Sequence, residues 1–88
     1  MNGKMRKERW ETENQNARIF NNYGCLLLAF HNSAKAHHRT KESLPWFRRA
    51  LCSDPNFGIA MTNYALALHS CGKLWRAERW YKRALCLS

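Results

Sequence analysis

Residues 45–52 read PWFRRALC, and residues 79–86 read RWYKRALC. The two stretches align without a gap, so that position 46 pairs with position 80 and every other pair keeps the same separation. Trp46, Arg49, Ala50, Leu51 and Cys52 each meet an identical residue in the second stretch, and an aromatic residue follows the tryptophan in both. Chance seldom produces such a match in a chain of this length, so the sequence contains an internal repeat.

A second match lies upstream of each stretch. Asn22, Tyr23 and Gly24 align with the Asn-Tyr-Ala run at positions 63–65. Positions 22 and 46 are farther apart than their partners, positions 63 and 80, and the difference is seven. The first copy therefore carries seven extra residues between its two helices, in or near residues 33–39. Insertions are tolerated at such a place, because turns between helices lie at the surface.

Apolar residues recur at helical spacing through both copies and predict four helices. We place them at residues 17–32, 41–53 and 57–71, and from residue 74 through residue 87. Proline is tolerated in the first turn of a helix, so Pro45 predicts that the second helix begins near residue 42 or 43. Residues 54–56, Asp-Pro-Asn, interrupt the chain and offer polar caps to the third helix. Gly72 suits the left-handed turn that ends it.

The predicted fold is therefore all-α, with helix over well more than half of the chain and no strands. Residues 1–16 form a polar basic segment, residues 17–57 a first repeat with the insertion, and residues 58–88 a second repeat. Small residues stand where paired helices must approach closely: Gly24, Ala50, Ala65, Ala77 and Ala84. We expect the aromatic residues beside them to be buried: Tyr23, Phe47, Tyr64 and Tyr81.

The combined spacing resembles the tetratricopeptide repeat, a two-helix unit that stacks into a right-handed α-solenoid. The first copy shows the pattern as Phe20, Tyr23, Gly24, Leu27, Ser43, Phe47, Ala50 and Pro55. The second shows it as Met61, Tyr64, Ala65, Leu68, Gly72, Ala77, Tyr81 and Ala84. The insertion departs from the family pattern, as does Ser43 in place of alanine. The resemblance implies a non-catalytic scaffold that binds a peptide or another protein.

A narrower resemblance concerns the type IV pilus biogenesis lipoproteins, the pilotin family. It rests on the sequence of residues 19–27, on residues 42–47, on the Ala-Leu pair at residues 50–51 and on the Asp-Pro pair at residues 54–55. It implies a role in pilus biogenesis and a periplasmic or outer-membrane location. The signal and lipid-attachment cysteine of that family do not occur in this sequence.

Composition limits the partners and the compartment. The formal net charge of +9 favours acidic partners, whether a protein surface, nucleic acid or an anionic membrane face. The longest apolar run, residues 25–30, is far shorter than the roughly 20 residues that a membrane span needs. Four cysteines fall inside apolar helical patterns, and we expect them to be buried reduced thiols: Cys25, Cys52, Cys71 and Cys86. With no signal peptide, these features point to the cytoplasm.

Enzyme and metal signatures are absent from the sequence. It contains no phosphate-binding glycine loop or nucleophile elbow, and only six acidic residues. The histidines at positions 31, 37, 38 and 69 do not form the closely spaced ligand pairs that structural zinc requires. We therefore predict no enzyme activity, no metal and no cofactor.

Nucleic-acid binding is the alternative function. Arg48 and Arg49 next to Trp46, and the matching Lys82 and Arg83 next to Trp80, could contact phosphates and stack on bases. Packing of the two tryptophans against the adjacent helix explains the same pattern without a ligand.

The resemblance places a peptide-binding groove on the first helix of each repeat. Asn22 and Asn63 occupy equivalent positions, and asparagine amides can pair with the backbone of an extended peptide. With Arg18 they resemble part of a carboxylate clamp. Asparagines that bond only to a neighbouring helix explain the pattern equally well. The predicted groove residues are Arg18, Asn21, Asn22, Cys25, Ile59, Thr62, Asn63, Leu66 and His69.

The fourth helix carries apolar residues that a following helix would cover in a solenoid, at Trp80, Ala84 and Leu87. We therefore expect a fragment of a longer array or a partner chain that covers this helix. The exposed stripe predicts self-association. The alternative is a self-sufficient monomer in which the N-terminal segment around Trp10 folds back over the core.

Overall fold

Four α-helices make up the computed structural model, which describes residues 2–29 and 36–87, with side chains from residue 12 and from residue 38 in the two segments. They are α1 (Asn2–Leu28), α2 (Ala36–Ser53), α3 (Gly58–Ser70) and α4 (Leu74–Leu87). Their lengths of 27, 18, 13 and 14 residues account for most of the chain, as the helical periodicity predicted. The described ranges contain no strand, so the all-α prediction is confirmed.

The first helix is much longer than the sequence pattern predicted. It begins at Asn2 rather than residue 17, so the basic segment at residues 1–16 is helical from residue 2 onward. Lys, Arg, Glu and Met dominate residues 4–11 and have high intrinsic helix propensity. A helix already stabilised by packing can propagate through such residues without an apolar stripe, because nucleation is its costly step.

The second helix also begins earlier than predicted, at Ala36, so Pro45 lies well inside it. The inference from Pro45 was wrong because a single proline removes one backbone hydrogen bond while tertiary packing on both sides of it holds the helix. The Pro45 ring is exposed, and its neighbour Phe47 is fully buried. α2 begins ten residues before Trp46, whereas α4 begins six residues before Trp80. Part of the insertion at residues 33–39 therefore lengthens α2, and residues 33–35 lie outside the described ranges.

The turn that ends α3 follows the prediction. Gly72 has φ of +79°, its N–H donates to the carbonyl of His69 at 2.9 Å, and the N–H of Lys73 donates to that of Leu68 at 2.9 Å. This is a Schellman motif, which favours glycine at the left-handed position. The loop before α3 differs from prediction, since Phe57 is the N-cap and no side chain caps the helix. Asp54 instead accepts a hydrogen bond from the Asn56 N–H at 3.2 Å.

The helices pack as two pairs, α1 with α2 and α3 with α4, and α2 contacts α3 between them. Contact between α1 and α3 is smaller. One apolar cluster spans both pairs and includes Phe47, Ala50, Leu51, Ala60, Met61, Tyr64, Ala65, Ala67, Leu68 and Ala77. A methyl group at Gly24 would lie 2.7 Å from Phe47 Cε1, so the absence of a side chain there lets α1 and α2 meet.

The predicted burial of four aromatic residues is half right. Phe47 and Tyr64 are buried, but Tyr23 is 42% exposed and Tyr81 is half-buried. Ala50, Ala65 and Ala77 are buried as expected, and Ala84 is half-buried. Of the exposed stripe predicted on α4, Leu87 is exposed as expected, whereas Trp80 and Ala84 pack against the core. Leu74 and Leu85 are exposed on the same helix.

None of the four cysteines is as buried as expected. All four are free thiols, but Cys52 and Cys86 are exposed, and Cys25 and Cys71 are half-buried. A helical pattern fixes which residues share a face but not whether another element covers that face. Across the described ranges, no helix is long and apolar enough to cross a bilayer.

Candidate functional site

A basic cleft opens between α2 and α4. It has a volume of about 970 Å³ and is lined by Arg48, Tyr64, Trp75, Arg76, Arg79, Trp80, Lys82 and Arg83. Arg76, Arg79 and Arg83 follow helical spacing and so lie on one face of α4. Arg48 reaches the cleft from α2. We call this surface the basic cleft.

A smaller apolar pocket adjoins the basic cleft. Its volume is about 270 Å³, and Arg48, Tyr64, Trp80 and Arg83 line both spaces. The remaining wall comes from Leu51, Cys52 and Pro55. The volume falls below the range of roughly 300–1,000 Å³ that is typical for small-molecule sites, so it suits a single inserted side chain.

Matching aromatic contacts support the cleft and the opposite helix pair. The Trp80 ring meets Tyr64 edge-on with centroids 5.3 Å apart, and Trp46 meets Tyr23 in the same way at 4.7 Å. The Arg83 guanidinium lies 4.8 Å from the Trp80 centroid, and that of Arg49 lies 4.7 Å from the Trp46 centroid. Stacking on an indole face holds a guanidinium in place while its N–H groups stay available to an anion.

The charge of the basic cleft is unbalanced. Among the described residues that line it, five are cationic and none is acidic. The nearest acid along α4, Glu78, pairs with Lys82 at 2.9 Å. The hydrogen bond and the charge of Lys82 hold the pKa of Glu78 below its usual range. The cleft therefore attracts anions, and carboxylates and phosphates both satisfy it.

The predicted groove residues separate into two groups. Asn21, Cys25 and Asn63 come together where α1 meets α3: the Asn63 amide donates to Asn21 Oδ1 at 3.1 Å and to the Cys25 Sγ at 3.2 Å. Asn21 is buried, and burial raises the pKa of the Cys25 thiol. The Asn63 NH₂ group is therefore occupied within the protein.

The other six predicted residues are exposed and lie apart from that contact: Arg18, Asn22, Ile59, Thr62, Leu66 and His69. The Thr62 hydroxyl donates to the carbonyl of Gly58 at 3.1 Å, one turn back in its own helix. Asn22 and Asn63 hold equivalent sequence positions but differ in burial, since Asn63 is half-buried. The two asparagines therefore have different surroundings, with Asn22 exposed to solvent and Asn63 between α1 and α3.

The described part of the chain holds no group of three or more His, Cys, Asp or Glu residues that could hold a metal ion. His38 pairs with Glu42 at 2.8 Å, and His69 is exposed. The side chains of the histidines at positions 31 and 37 lie outside the described residues.

The sequence interpretation missed three residues of the basic cleft, namely Trp75, Arg76 and Arg79. It had identified only the basic pairs that recur with the repeat. The spacing of Arg76, Arg79 and Arg83 on one helix face was a signal that could have found two of them. No family model, curated protein or solved structure matches the chain.

Proposed function

We propose that the chain is a non-catalytic helical-repeat module that binds an acidic segment of another protein in the basic cleft. The observation that carries the proposal is the grouping of five cationic side chains beside an apolar pocket, with no acidic residue among the described lining. The two helix pairs are, in this proposal, tetratricopeptide-type repeats. The internal sequence match and the paired tyrosine–tryptophan contacts support that assignment.

The chemistry of the basic cleft specifies the ligand. Arginine forks bind carboxylates through paired, charge-assisted hydrogen bonds. The pocket formed by Leu51, Pro55, Tyr64 and Trp80 accepts one apolar side chain. A peptide with several Asp or Glu residues around one Leu or Phe matches both features.

Single-stranded nucleic acid is the second candidate, favoured by Trp75, which is 62% exposed beside Arg76 and Arg79. Base stacking needs aromatic faces that are free. The rings of Trp46 and Trp80 already contact arginine and tyrosine side chains, so fewer faces remain for bases. This difference ranks the acidic peptide first.

The predicted groove on α1 and α3 remains a second surface for the same class of partner. Its exposed polar groups include Arg18 and Asn22. A role in type IV pilus biogenesis rests on the sequence resemblance alone.

Three single charge reversals distinguish the surfaces because each changes the net charge equally. Arg79→Glu alters the basic cleft, Arg18→Glu alters the groove, and Lys41→Glu is the control on an exposed position outside both. We expect Arg79→Glu to weaken binding of a fluorescent Glu/Asp-rich peptide with one central Leu by about tenfold, the loss of one charge-assisted hydrogen bond. The Lys41→Glu variant should change affinity less than about twofold, since only screened long-range attraction is lost.

Equal losses of affinity in all three variants would show that the peptide is bound by the net charge of the protein rather than by the basic cleft. A selective loss in Arg18→Glu would move the site to the groove. An oligonucleotide that binds more tightly than the peptide, with a steep salt dependence and a strong loss in Trp75→Ala, would make nucleic acid the ligand.

A further inference from the structure

Residues that are buried in one helix pair have exposed equivalents in the other, and the exposed sets lie at opposite ends. The equivalence is that of the sequence repeat, in which position 22 of α1 matches position 63 of α3 and position 46 of α2 matches position 80 of α4. Each exposed set can therefore be compared with the residues at the equivalent positions of the other helix pair, which are more buried.

The first exposed set lies on α1 and comprises Ile19, Tyr23 and Leu26, which we call the leading face. Ile19 is 62% exposed and Leu26 is 55% exposed. Their equivalents on α3 are Ala60, Tyr64 and Ala67, and all three are buried in the shared core. The leading face thus has the position of a surface that, in the second pair, is covered by its neighbours.

The second exposed set lies on the opposite pair and comprises Leu66, Leu74 and Leu85, which we call the trailing face. Leu85 is 70% exposed, whereas its equivalent Leu51 is 8% exposed. The equivalents of Leu66 and Leu74 are the half-buried Cys25 and the buried Thr40. The trailing face thus has the position of a surface that, in the first pair, is covered.

The contact between the two pairs shows how such faces meet. Asn63 on α3 bonds to Asn21 and Cys25 on α1. Elsewhere in the contact between the two pairs, Leu51 of α2 and Tyr64 of α3 line the same pocket. A surface equivalent to the trailing face is therefore joined, inside this protein, to a surface equivalent to the leading face.

We propose that the chain associates head to tail, with the trailing face of one copy docked on the leading face of a second copy. The two copies then meet in the same register as the two helix pairs do within one copy. In this arrangement Asn22 of one copy meets Thr62 and Leu66 of the other, as Asn63 meets Asn21 and Cys25 internally. Leu85 of one copy lies beside Tyr23 of the other, as Leu51 lies beside Tyr64.

A second copy is the occupant because the molecule carries both halves of the contact. The two faces differ, so the contact is heterologous and extends into open chains of copies rather than closing as a symmetric dimer. Burial of large exposed leucines drives the association. The net charge of +9 opposes it, so association strengthens as salt screens the repulsion. Acidic-peptide binding in the basic cleft weakens with salt, which separates this proposal from the proposed function.

Sedimentation velocity of single-face variants tests the arrangement. Leu85→Glu blocks the trailing face and Leu26→Glu blocks the leading face, and both positions are exposed. The unaltered chain should form dimers and longer species over a hundredfold range of concentration, more so in about 0.5 M salt than at physiological salt. Each variant alone should be monomeric, because each lacks one half of the contact. An equimolar mixture should recover a dimer but nothing longer.

A face-to-face dimer predicts a different pattern, because a Leu26→Glu variant that uses only the trailing face would still dimerise alone. That outcome would overturn the proposal, as would a monomeric unaltered chain at every concentration or a mixture that stays monomeric. Ile19→Glu provides a second block of the leading face, and a circular dichroism melt confirms that each variant is folded.

Cross-linking tests the register. With the four native cysteines replaced by serine, Asn22→Cys on one copy and Leu66→Cys on another should be joined by a short bis-maleimide. The pair Asn22→Cys and Lys41→Cys, placed outside the trailing face, should remain unlinked. Equal cross-linking of both pairs would reject the register.

Discussion

Tyr23 and Tyr64 hold equivalent positions in the two helix pairs and make the same edge-on contact with a tryptophan, yet Tyr23 is 42% exposed and Tyr64 is 8% exposed. Leu51 and Leu85 show the reverse order, with the residue of the first pair buried. Both differences have one cause. Tyr64 and Leu51 face the other helix pair, and Tyr23 and Leu85 face away from it.

The comparison separates two contributions to burial. Contacts within a pair are made by the residues of that pair, and they recur at equivalent positions. Contacts between pairs depend on whether a neighbouring pair is present. Substitutions at equivalent positions measure the two contributions separately.

The largest effect is expected from Phe47→Ala compared with Tyr81→Ala. Phe47 is fully buried, and its ring fills the space where Gly24 has no side chain. Removal of the ring should therefore lower the free energy of unfolding by about 3–5 kcal/mol. Tyr81 is half-buried at the equivalent position, and Tyr81→Ala should cost about 1–2 kcal/mol because less apolar surface returns to water. Urea denaturation followed by circular dichroism measures both, and equal losses would contradict the difference in burial.

Leu51→Ala and Leu85→Ala isolate the contact between pairs, because both remove the same atoms. Leu51→Ala should cost about 2–4 kcal/mol, and Leu85→Ala should remain within about 0.5 kcal/mol. The unfolding curves should be recorded at the lowest practical protein concentration, where association through the trailing face contributes least. A large loss for Leu85→Ala at that concentration would show that Leu85 is covered within the single chain.

The sequence predicted the second helix pair better than the first. The prediction for α3, residues 57–71, differs by one residue at each end, and α4 begins at Leu74 as predicted. Gly72 and a regular apolar period mark those boundaries. The beginning of α1 was missed because helix propensity, rather than burial, extends it through residues with no apolar period. The beginning of α2 was missed because Pro45 breaks a helix only when packing does not outweigh the lost hydrogen bond.

Burial and site residues depended on tertiary arrangement. Periodicity placed Tyr23 on the face that meets α2, but no pattern along the chain says which end of the two pairs is open. The basic cleft was missed in part because Arg48 is separated from Arg76 and Arg79 by an entire helix and two loops. The separation of Asn22 from Asn63 likewise follows from the contact of α1 with α3.

Gly24→Ala is expected to show a smaller effect within the first pair. Alanine favours a helix over glycine by about 1 kcal/mol, but its methyl group would lie 2.7 Å from the buried ring of Phe47. Overpacking of this kind costs about 1–3 kcal/mol, so the variant should be less stable overall. The equivalent Ala65 carries that methyl group already, and Tyr81, the equivalent of Phe47, is less buried. The double variant Gly24→Ala, Phe47→Leu should lose less free energy of unfolding than the two single variants lose in sum. Strictly additive losses would mean that the ring and the methyl group do not collide.

The smallest effect concerns thiol reactivity, which compares the seam between α1 and α3 with the outer helix faces. Cys52 and Cys86 are exposed at equivalent positions and should react with Ellman's reagent at similar rates. Cys25 is half-buried, its Sγ accepts a hydrogen bond from Asn63, and burial raises its pKa, so less of it is thiolate at a given pH. A raised pKa in the folded state favours the thiol, so this group stabilises the fold below its unfolded pKa and loses that contribution as pH rises through the folded value.

Variants that each keep one cysteine, with the others replaced by serine, allow each rate to be measured across alkaline pH. We expect Cys25 to react several-fold more slowly than either exposed thiol, with its rate rising at higher pH, and the gap to close in urea. A Cys25 rate equal to that of Cys52 in the folded protein would show that the seam between α1 and α3 opens freely.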